Sequence, residues 1–248
     1  MRFFRIAVLS LSLVMAACAT GARIPDQITP EELFDRGLAA LHGKKWTDAL
    51  TIFERFVLQF PNHPRMQEAR FNIGNAYFGK KEYVSAANEY SRLANDFPAG
   101  PWSDDARFKV CDSYNKLSPK PQLDQQYTRA ALDHCQSLIT YYPTSDFVTT
   151  AQQILSELRN KLAEKEFLAG DFYFKRNAYD SAIIYFEGAV RNYPDTAVAP
   201  RALYRLYETY QKLGYKEEED STKQRLLKDY PTSPEAKLLQ EPAPTSGP

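Results

Sequence analysis

The chain has 248 residues and a formal net charge of zero, from 31 Lys and Arg against 31 Asp and Glu. That balance, with no basic run to offset it, excludes a nucleic-acid binder that works by neutralising phosphates. Hydrophobic content of 44% and charged content of 25% suit a chain that folds, ten glycines disfavour a turn-dense β fold, and three Cys and three His exclude a disulfide scaffold or a multi-site metal protein.

Residues 1–17 have the layout of a secretory signal peptide. Arg2 and Arg5 precede an apolar run from Ile6 to Met15, too short to cross a bilayer core of about 30 Å as a helix. The segment Val14-Met15-Ala16-Ala17-Cys18 resembles a bacterial lipobox, with Met15 where leucine is commonest. The resemblance implies cleavage before Cys18 and diacylation of its sulfur. The alternatives are a plain signal peptide cut after Ala17 or a buried cysteine. Ala19 follows Cys18 in place of the aspartate that retains lipoproteins in the inner membrane, so the implied destination is the outer membrane. Two or more acyl chains, at about 0.8 kcal/mol per buried methylene, give a stable anchor. Residues 18–28 read as a lipidated tether.

From residue 29 the chain is periodic. An aromatic-proline pair recurs at Phe60-Pro61, Phe97-Pro98, Tyr142-Pro143, Tyr193-Pro194 and Tyr230-Pro231, with gaps of 37, 45, 51 and 37 residues. Such a period means stacked repeats. Each proline ends a helix, and Asn62, Thr144, Asp195 and Ser233 are candidate caps for the helix that follows. Thr29-Pro30-Glu31-Glu32 reads as a capping box that opens the array.

Each unit carries two amphipathic helices. The second unit places Gly74 opposite Ala86, with Tyr77, Tyr83 and Tyr90 around them, and resembles a tetratricopeptide repeat. Gly37, Trp46, Ala49, Phe53 and Pro61 match in the first unit, and Gly170, Tyr179, Ala182, Phe186 and Pro194 in the fourth. The third unit has Cys111 in place of the glycine, and the fifth has Tyr207 there. The expected fold is an all-α superhelical solenoid of about five tetratricopeptide repeats. Residues 29–143 form an N-terminal block and 144–240 a long linking helix with a C-terminal block. Residues 241–248, Glu-Pro-Ala-Pro-Thr-Ser-Gly-Pro, read as a disordered tail.

Two features break the period. Ser118 to Gln125 is an insertion where a tight turn is normal. Ser145 to Lys175 reads as one helix of about 45 Å, long enough to link the two blocks.

The repeat register sets Cys111 and Cys135 on facing helices of the third unit. With Cys18 used for lipid, this pair forms either an intra-repeat disulfide, favoured by an oxidising compartment, or two buried free thiols. No Walker loop, dinucleotide glycine pattern or Gly-x-Ser-x-Gly is present. Asp133-His134-Cys135 is neither a metal triplet nor a nucleophile-base pair, because adjacent helical positions diverge by about 100°. No enzyme activity, cofactor or metal site is expected.

Longer strings narrow the choice among repeat proteins. Thr128 to Ser145 (TRAALDHCQSLITYYPTS), Leu158 to Tyr179 (LRNKLAEKEFLAGDFYFKRNAY) and Phe186 to Thr196 (FEGAVRNYPDT) resemble the BamD family, the repeat lipoproteins of the β-barrel assembly machinery. The resemblance runs from residue 18 to about 234. It implies a non-enzymatic lipoprotein on the periplasmic face of the outer membrane of a Gram-negative bacterium. The implied partners are the periplasmic domains of the barrel subunit BamA, other Bam lipoproteins, and unfolded outer-membrane proteins with an aromatic-rich C-terminal strand. In repeats of this kind the concave wall comes from fixed positions of each first helix. Here these are Phe34, Leu38 and Leu41, then Phe71, Asn75 and Phe78, a candidate peptide groove. Asp171, Phe174, Tyr204, Glu208 and Gln211 form a more polar wall that suits a folded partner. The helix from Ala178 to Tyr193 and its following turn are the expected BamA contact. The competing reading is a periplasmic repeat adaptor lipoprotein for cell division and peptidoglycan, or for pilus assembly.

Overall fold

The structure is a computed structural model that describes residues 27–240. The expected signal peptide, Cys18 and the tail 241–248 lie outside the described residues, as does most of the tether. Among the described residues are eleven α-helices and no strand. They are α1 (Pro30–His42), α2 (Trp46–Gln59), α3 (Met66–Gly79), α4 (Tyr83–Asp96), α5 (Ser103–Leu117), α6 (Gln126–Tyr141), α7 (Val148–Phe174), α8 (Tyr179–Asn192), α9 (Val198–Leu213), α10 (Lys216–Asp229) and α11 (Pro234–Gln240). α1–α2, α5–α6, α7–α8 and α9–α10 pack as helix hairpins, and α3 leads into α4 through a tight turn at Lys81, so the all-α repeat reading holds.

The aromatic-proline pairs mark helix ends for a physical reason. The second helix of every hairpin stops one residue before the aromatic. The aromatic N–H still closes the last turn: Phe60 donates to the Phe56 carbonyl at 2.8 Å, Tyr142 to Leu138 at 2.8 Å and Tyr230 to Leu226 at 3.0 Å. The proline then supplies no donor and pushes its predecessor out of the helical region. Phe60, Tyr142, Tyr193 and Tyr230 accordingly sit at ψ of 56°, 61°, 51° and 51°. Two of these tyrosines also tie successive hairpins together. Tyr142 donates its hydroxyl to the Pro98 carbonyl at 2.8 Å, and Tyr230 to the Pro194 carbonyl at 2.7 Å.

Four hairpins reverse through one left-handed residue, at Lys44, Lys81, Asn177 and Gly214. Two expected caps are seen: Thr29 accepts from the Glu32 N–H at 3.2 Å, and Ser233 from the Ala236 N–H at 3.1 Å. The other three expectations need correction. Arg65 and Phe147 occupy the N-cap positions of α3 and α7, so Asn62 and Thr144 cap neither helix. Asp195 faces Arg159 instead, whose Nε lies 2.8 Å from its carboxylate and whose Nη2 also reaches the Asn192 carbonyl. That guanidinium holds the Asp195 carboxyl below the usual carboxylate range.

The described helices form two compact units that divide between Glu89 and Tyr90, inside α4. In the first unit Leu33, Phe34, Leu50, Phe53, Phe56 and Ile73 make the core. Phe34 meets Phe53 and Phe56 edge-on, with centroids 5.3 and 5.2 Å apart. Full burial of each ring is worth about 1.5–3 kcal/mol.

Two cores of the second unit share α7. Its first half sends Ala151, Ile154 and Leu158 among Phe108, Cys111 and Leu138. Its second half sends Ala163 and Phe167 among Phe186, Leu203 and Leu206. A helix shared in this way leaves no break in packing at residues 143/144, where the sequence reading divided the chain. α7 also starts three residues later than expected. Ser145 accepts from the Phe147 N–H at 3.3 Å in a local turn, and the Phe147 ring stacks on Phe108 at 4.4 Å.

Candidate functional site

The first candidate surface lies on α1 and α3. Phe34 must be removed from it. Its side chain has no exposed area, and the Arg65 guanidinium covers the ring at 3.5 Å from its centroid. Arg65 is fixed there by two hydrogen bonds to Glu68, at 2.8 and 3.0 Å. Phe71 is buried as well. Phe34 has no surface with which to touch a peptide and Phe71 keeps only 7% of its area, so both serve packing. The other four positions keep surface. Leu38 and Leu41 are half-buried against the core of the first unit. Asn75 is half-buried and donates to Asn72 Oδ1 at 3.0 Å. Phe78 is half-buried and meets the edge of Tyr83 at 5.1 Å. The surface therefore offers two leucines, one aromatic ring and one amide.

The third hairpin carries the covalent feature. Cys111 on α5 and Cys135 on α6 form a disulfide with Cα atoms 4.9 Å apart, and both side chains are fully buried. Its position follows from the repeat. In the first hairpin Gly37 faces Phe53, and in the fourth Gly170 faces Phe186, sixteen residues on in each case. The eight-residue insertion stretches the same pairing to a separation of 24 between the cysteines. The disulfide thus stands where the first and fourth hairpins set a glycine against a phenylalanine.

The insertion is ordered by a polar network that the sequence reading missed. Gln125 is fully buried. Its amide nitrogen donates to the Lys120 and Leu123 carbonyls at 2.8 and 3.1 Å, and its oxygen accepts from Thr128 Oγ1 at 2.6 Å. The ammonium of Lys161 on α7 donates to Ser118 Oγ at 2.7 Å, and that of Lys165 to the Leu123 carbonyl at 2.7 Å. Burial lowers the Lys161 ammonium from its ordinary value. Hydrogen bonds to the amide offset its desolvation, and the satisfied network holds the loop in place.

His134 stacks on Tyr114 with centroids 5.1 Å apart. Burial first, and Arg107 second, lower its affinity for a proton, which Asp133 partly restores. The unfolded chain then binds more protons than the folded chain below the ordinary value of about 6.5. Stability should fall as pH drops from that value through the lowered one. Urea midpoints at pH 7.5 and 5.5 check this: His134→Gln should shrink the drop, and an unchanged drop would remove His134 as its source.

The third surface joins α7 and α9. Arg205 organises it, with Nη2 at 3.0 Å from Asp171 and Nη1 at 2.9 Å from Glu208. Its guanidinium lies 5.1 Å from the centre of the Phe174 ring. Lys175 pairs with Asp171 at 2.6 Å. Gln211 donates to Tyr207 Oη at 2.7 Å and to Glu219 Oε1 at 2.9 Å. Asp171, Phe174 and Glu208 therefore meet around Arg205, while Gln211 joins Tyr207 and Glu219 and Tyr204 lies beside Tyr207 at 6.2 Å. Arg205 falls between the register positions and was not legible from them. The surface is charged and internally paired, so it presents fixed geometry rather than free charge. On the segment expected to meet BamA, Ile184 of α8 is 67% exposed.

None of these surfaces sets a nucleophile beside a base, and no group of His, Cys, Asp or Glu among the described residues is arranged to hold a metal ion. No described helix is long and apolar enough to cross a membrane. What the geometry offers is binding surface on a stack of hairpins.

Residues 26–226 match the family model YfiO, described as outer membrane lipoprotein. The chain belongs to this family. The match takes in all the surfaces above; Cys18 lies before it. The chain is 28% identical over 228 residues to the outer membrane protein assembly factor BamD of Rickettsia prowazekii, covering 92% of this chain and 91% of that protein. It is 25% identical over 227 residues to the protein of the same name from Vibrio cholerae serotype O1, covering 88% and 94%. Among solved structures, the TPR2AB-domain:pHSP90 complex of yeast Sti1 aligns with a TM-score of 0.48 at 15% identity, over 84% of this chain and 80% of that one.

Proposed function

We propose that this lipoprotein is a non-enzymatic scaffold of the β-barrel assembly machinery, acting in the assembly and insertion of barrel proteins into the outer membrane. The observation that carries the reading is the extent of the likeness. Relatives named as assembly factors align over more than nine-tenths of their own length, and the family match spans the hairpins of both units. Diacylated Cys18 anchors the chain at the periplasmic face. The second unit docks on the periplasmic domains of BamA through the α7–α9 surface and α8, where paired charges and the exposed Ile184 support a folded partner. Other Bam lipoproteins join the same assembly.

The first unit receives unfolded barrel proteins on the partly exposed Leu38, Leu41, Asn75 and Phe78. Two leucines and an aromatic ring hold an apolar or aromatic side chain, and the amide meets the backbone of an extended peptide. Phe78→Asp should weaken binding of an aromatic-ended C-terminal peptide from a barrel protein about tenfold, the scale of losing a central aromatic contact. Unchanged affinity in a folded variant would remove the groove assignment. The function as a whole is tested by depleting the chain in its own host. Folded barrel proteins in the outer membrane, counted by heat-modifiable mobility, should fall together; normal levels would contradict the assembly role.

A further inference from the structure

Cys111 and Cys135 have no exposed area. Joining them required an oxidant to reach one of the two sulfurs, because disulfides form by attack of a thiolate on another disulfide. The folded third hairpin gives no such access. Both cysteines sit in one cluster with Phe108, Ala131 and Leu138 of their own hairpin and Ala151, Ile154 and Leu158 of α7. α7 packs against both α5 and α6 and supplies the third side of that cluster. Its three residues are buried there in turn.

The order of the chain matters here. α7 begins at Val148, beyond both cysteines. A chain delivered N-terminus first therefore presents Cys111 and Cys135 before the helix that encloses them. At about 5–20 residues per second, the 27 residues of α7 take roughly 1–5 s to arrive. Docking is then fast, since helical chains rich in local contacts fold in microseconds to milliseconds. Disulfide formation takes seconds with an efficient oxidant and up to hours without one. The fast end of that range fits the interval and the slow end does not.

We infer that Cys111 and Cys135 are the substrate site of a thiol–disulfide exchange enzyme, which oxidises them after both have emerged and before α7 docks. One thiolate of the pair attacks the enzyme's disulfide, giving a mixed disulfide and freeing the enzyme's other sulfur as a thiolate. The second thiolate of the pair then attacks the chain's sulfur in that mixed disulfide and expels the enzyme. The chain gives up two electrons and two protons, and the enzyme leaves as a dithiol. α7 afterwards closes over the bond. The oxidising compartment comes from the periplasmic location proposed above.

The test starts from the full lipoprotein in detergent micelles, unfolded in urea with reductant and refolded as the dithiol. Oxidised glutathione is the probe, and mass spectrometry counts the Cys111–Cys135 bond. Rates are scaled to that of a small free thiol in each solvent. The folded dithiol should oxidise at least about 100-fold more slowly than the same chain in urea, because it reacts through rare local opening. Leu158→Ala loosens α7 over the cluster and should raise the folded-state rate at least about tenfold, with helix content checked by circular dichroism. Ile154→Ala serves if that variant does not refold. A parent chain that refolds only after the bond is made would support the same order of events. In the host, deleting the compartment's thiol-oxidising exchange enzymes should raise the dithiol fraction of newly made chains at least about tenfold. Equal glutathione rates for folded and unfolded chain would overturn the inference. So would an unchanged rate in the α7 variants, or equally fast oxidation in the deletion host. The glutathione comparison involves no barrel protein and no membrane, so it can fail while the assembly role stands, and hold if that role falls.

Discussion

Gly170→Ala should destabilise the second unit by about 2 kcal/mol, although alanine is the better helix former by up to about 1 kcal/mol. A Cβ on Gly170 would lie 2.6 Å from Phe186 Cε1. The Phe186 ring is fully buried and packs on Phe167 at 5.7 Å, so it cannot swing away without disturbing the core. Gly188→Ala provides the opposite case in the same unit. The nearest atom to its added Cβ is Glu166 Oε2 at 3.7 Å, ordinary van der Waals distance. This substitution should stabilise by about 0.5–1 kcal/mol, because alanine loses less backbone entropy in a helix. Urea midpoints read both. Phe186→Leu should cost less in the Gly170→Ala background than in the parent chain, since the smaller side chain relieves the clash. Shifts of the same sign at Gly170 and Gly188 would show that the close approach does not set the repeat's stability.

Replacing Cys111 and Cys135 by Ala and Val should cost about 3.5 kcal/mol in the chain-entropy account of a cross-link closing some 25 residues. The bond replaces the glycine-phenylalanine contact of the first and fourth hairpins, so this joint has no ring packed against a glycine to hold it. Two measurements check it. A thiol titration of the unfolded, unreduced chain should find neither Cys111 nor Cys135 reactive, and the substituted chain should unfold at a clearly lower urea concentration. Two titratable thiols from these positions, or an unchanged midpoint, would contradict it.

Much of the fold was legible because the signals are local. A proline after an aromatic residue removes a donor and ends a helix whatever surrounds it, so Phe60, Phe97, Tyr142, Tyr193 and Tyr230 marked five helix ends correctly. The close approach of two helices within a hairpin was read from the repeat glycines, but its partner was not: the sequence reading set Gly74 opposite Ala86, whereas Gly37 and Gly170 face Phe53 and Phe186. What failed to show depends on partners distant in sequence. Asp195 looks like a cap until Arg159, 36 residues earlier, is placed beside it. Gln125 looks like a solvated loop residue until the chain folds around its amide. Phe34 sits at a wall position of its helix, yet Arg65 closes over it from the next turn of the array. The double role of α7 was hidden for a similar reason. A long helix reads as a linker in one dimension, but Leu158 and Phe167, nine residues apart on α7, enter different cores.

The central claim is that this lipoprotein works within the β-barrel assembly machinery and that its second unit makes the contact. Crosslinking and mass spectrometry of the native protein, gently extracted from its membrane, tests both parts in one measurement. The account predicts recovery of a barrel protein with periplasmic domains, linked to residues beyond about 165 on α7, α8 and α9. Recovery of division proteins or a pilus secretin in its place would contradict the assembly role, and links to the barrel protein confined to α1–α3 would contradict the assignment of the docking surface.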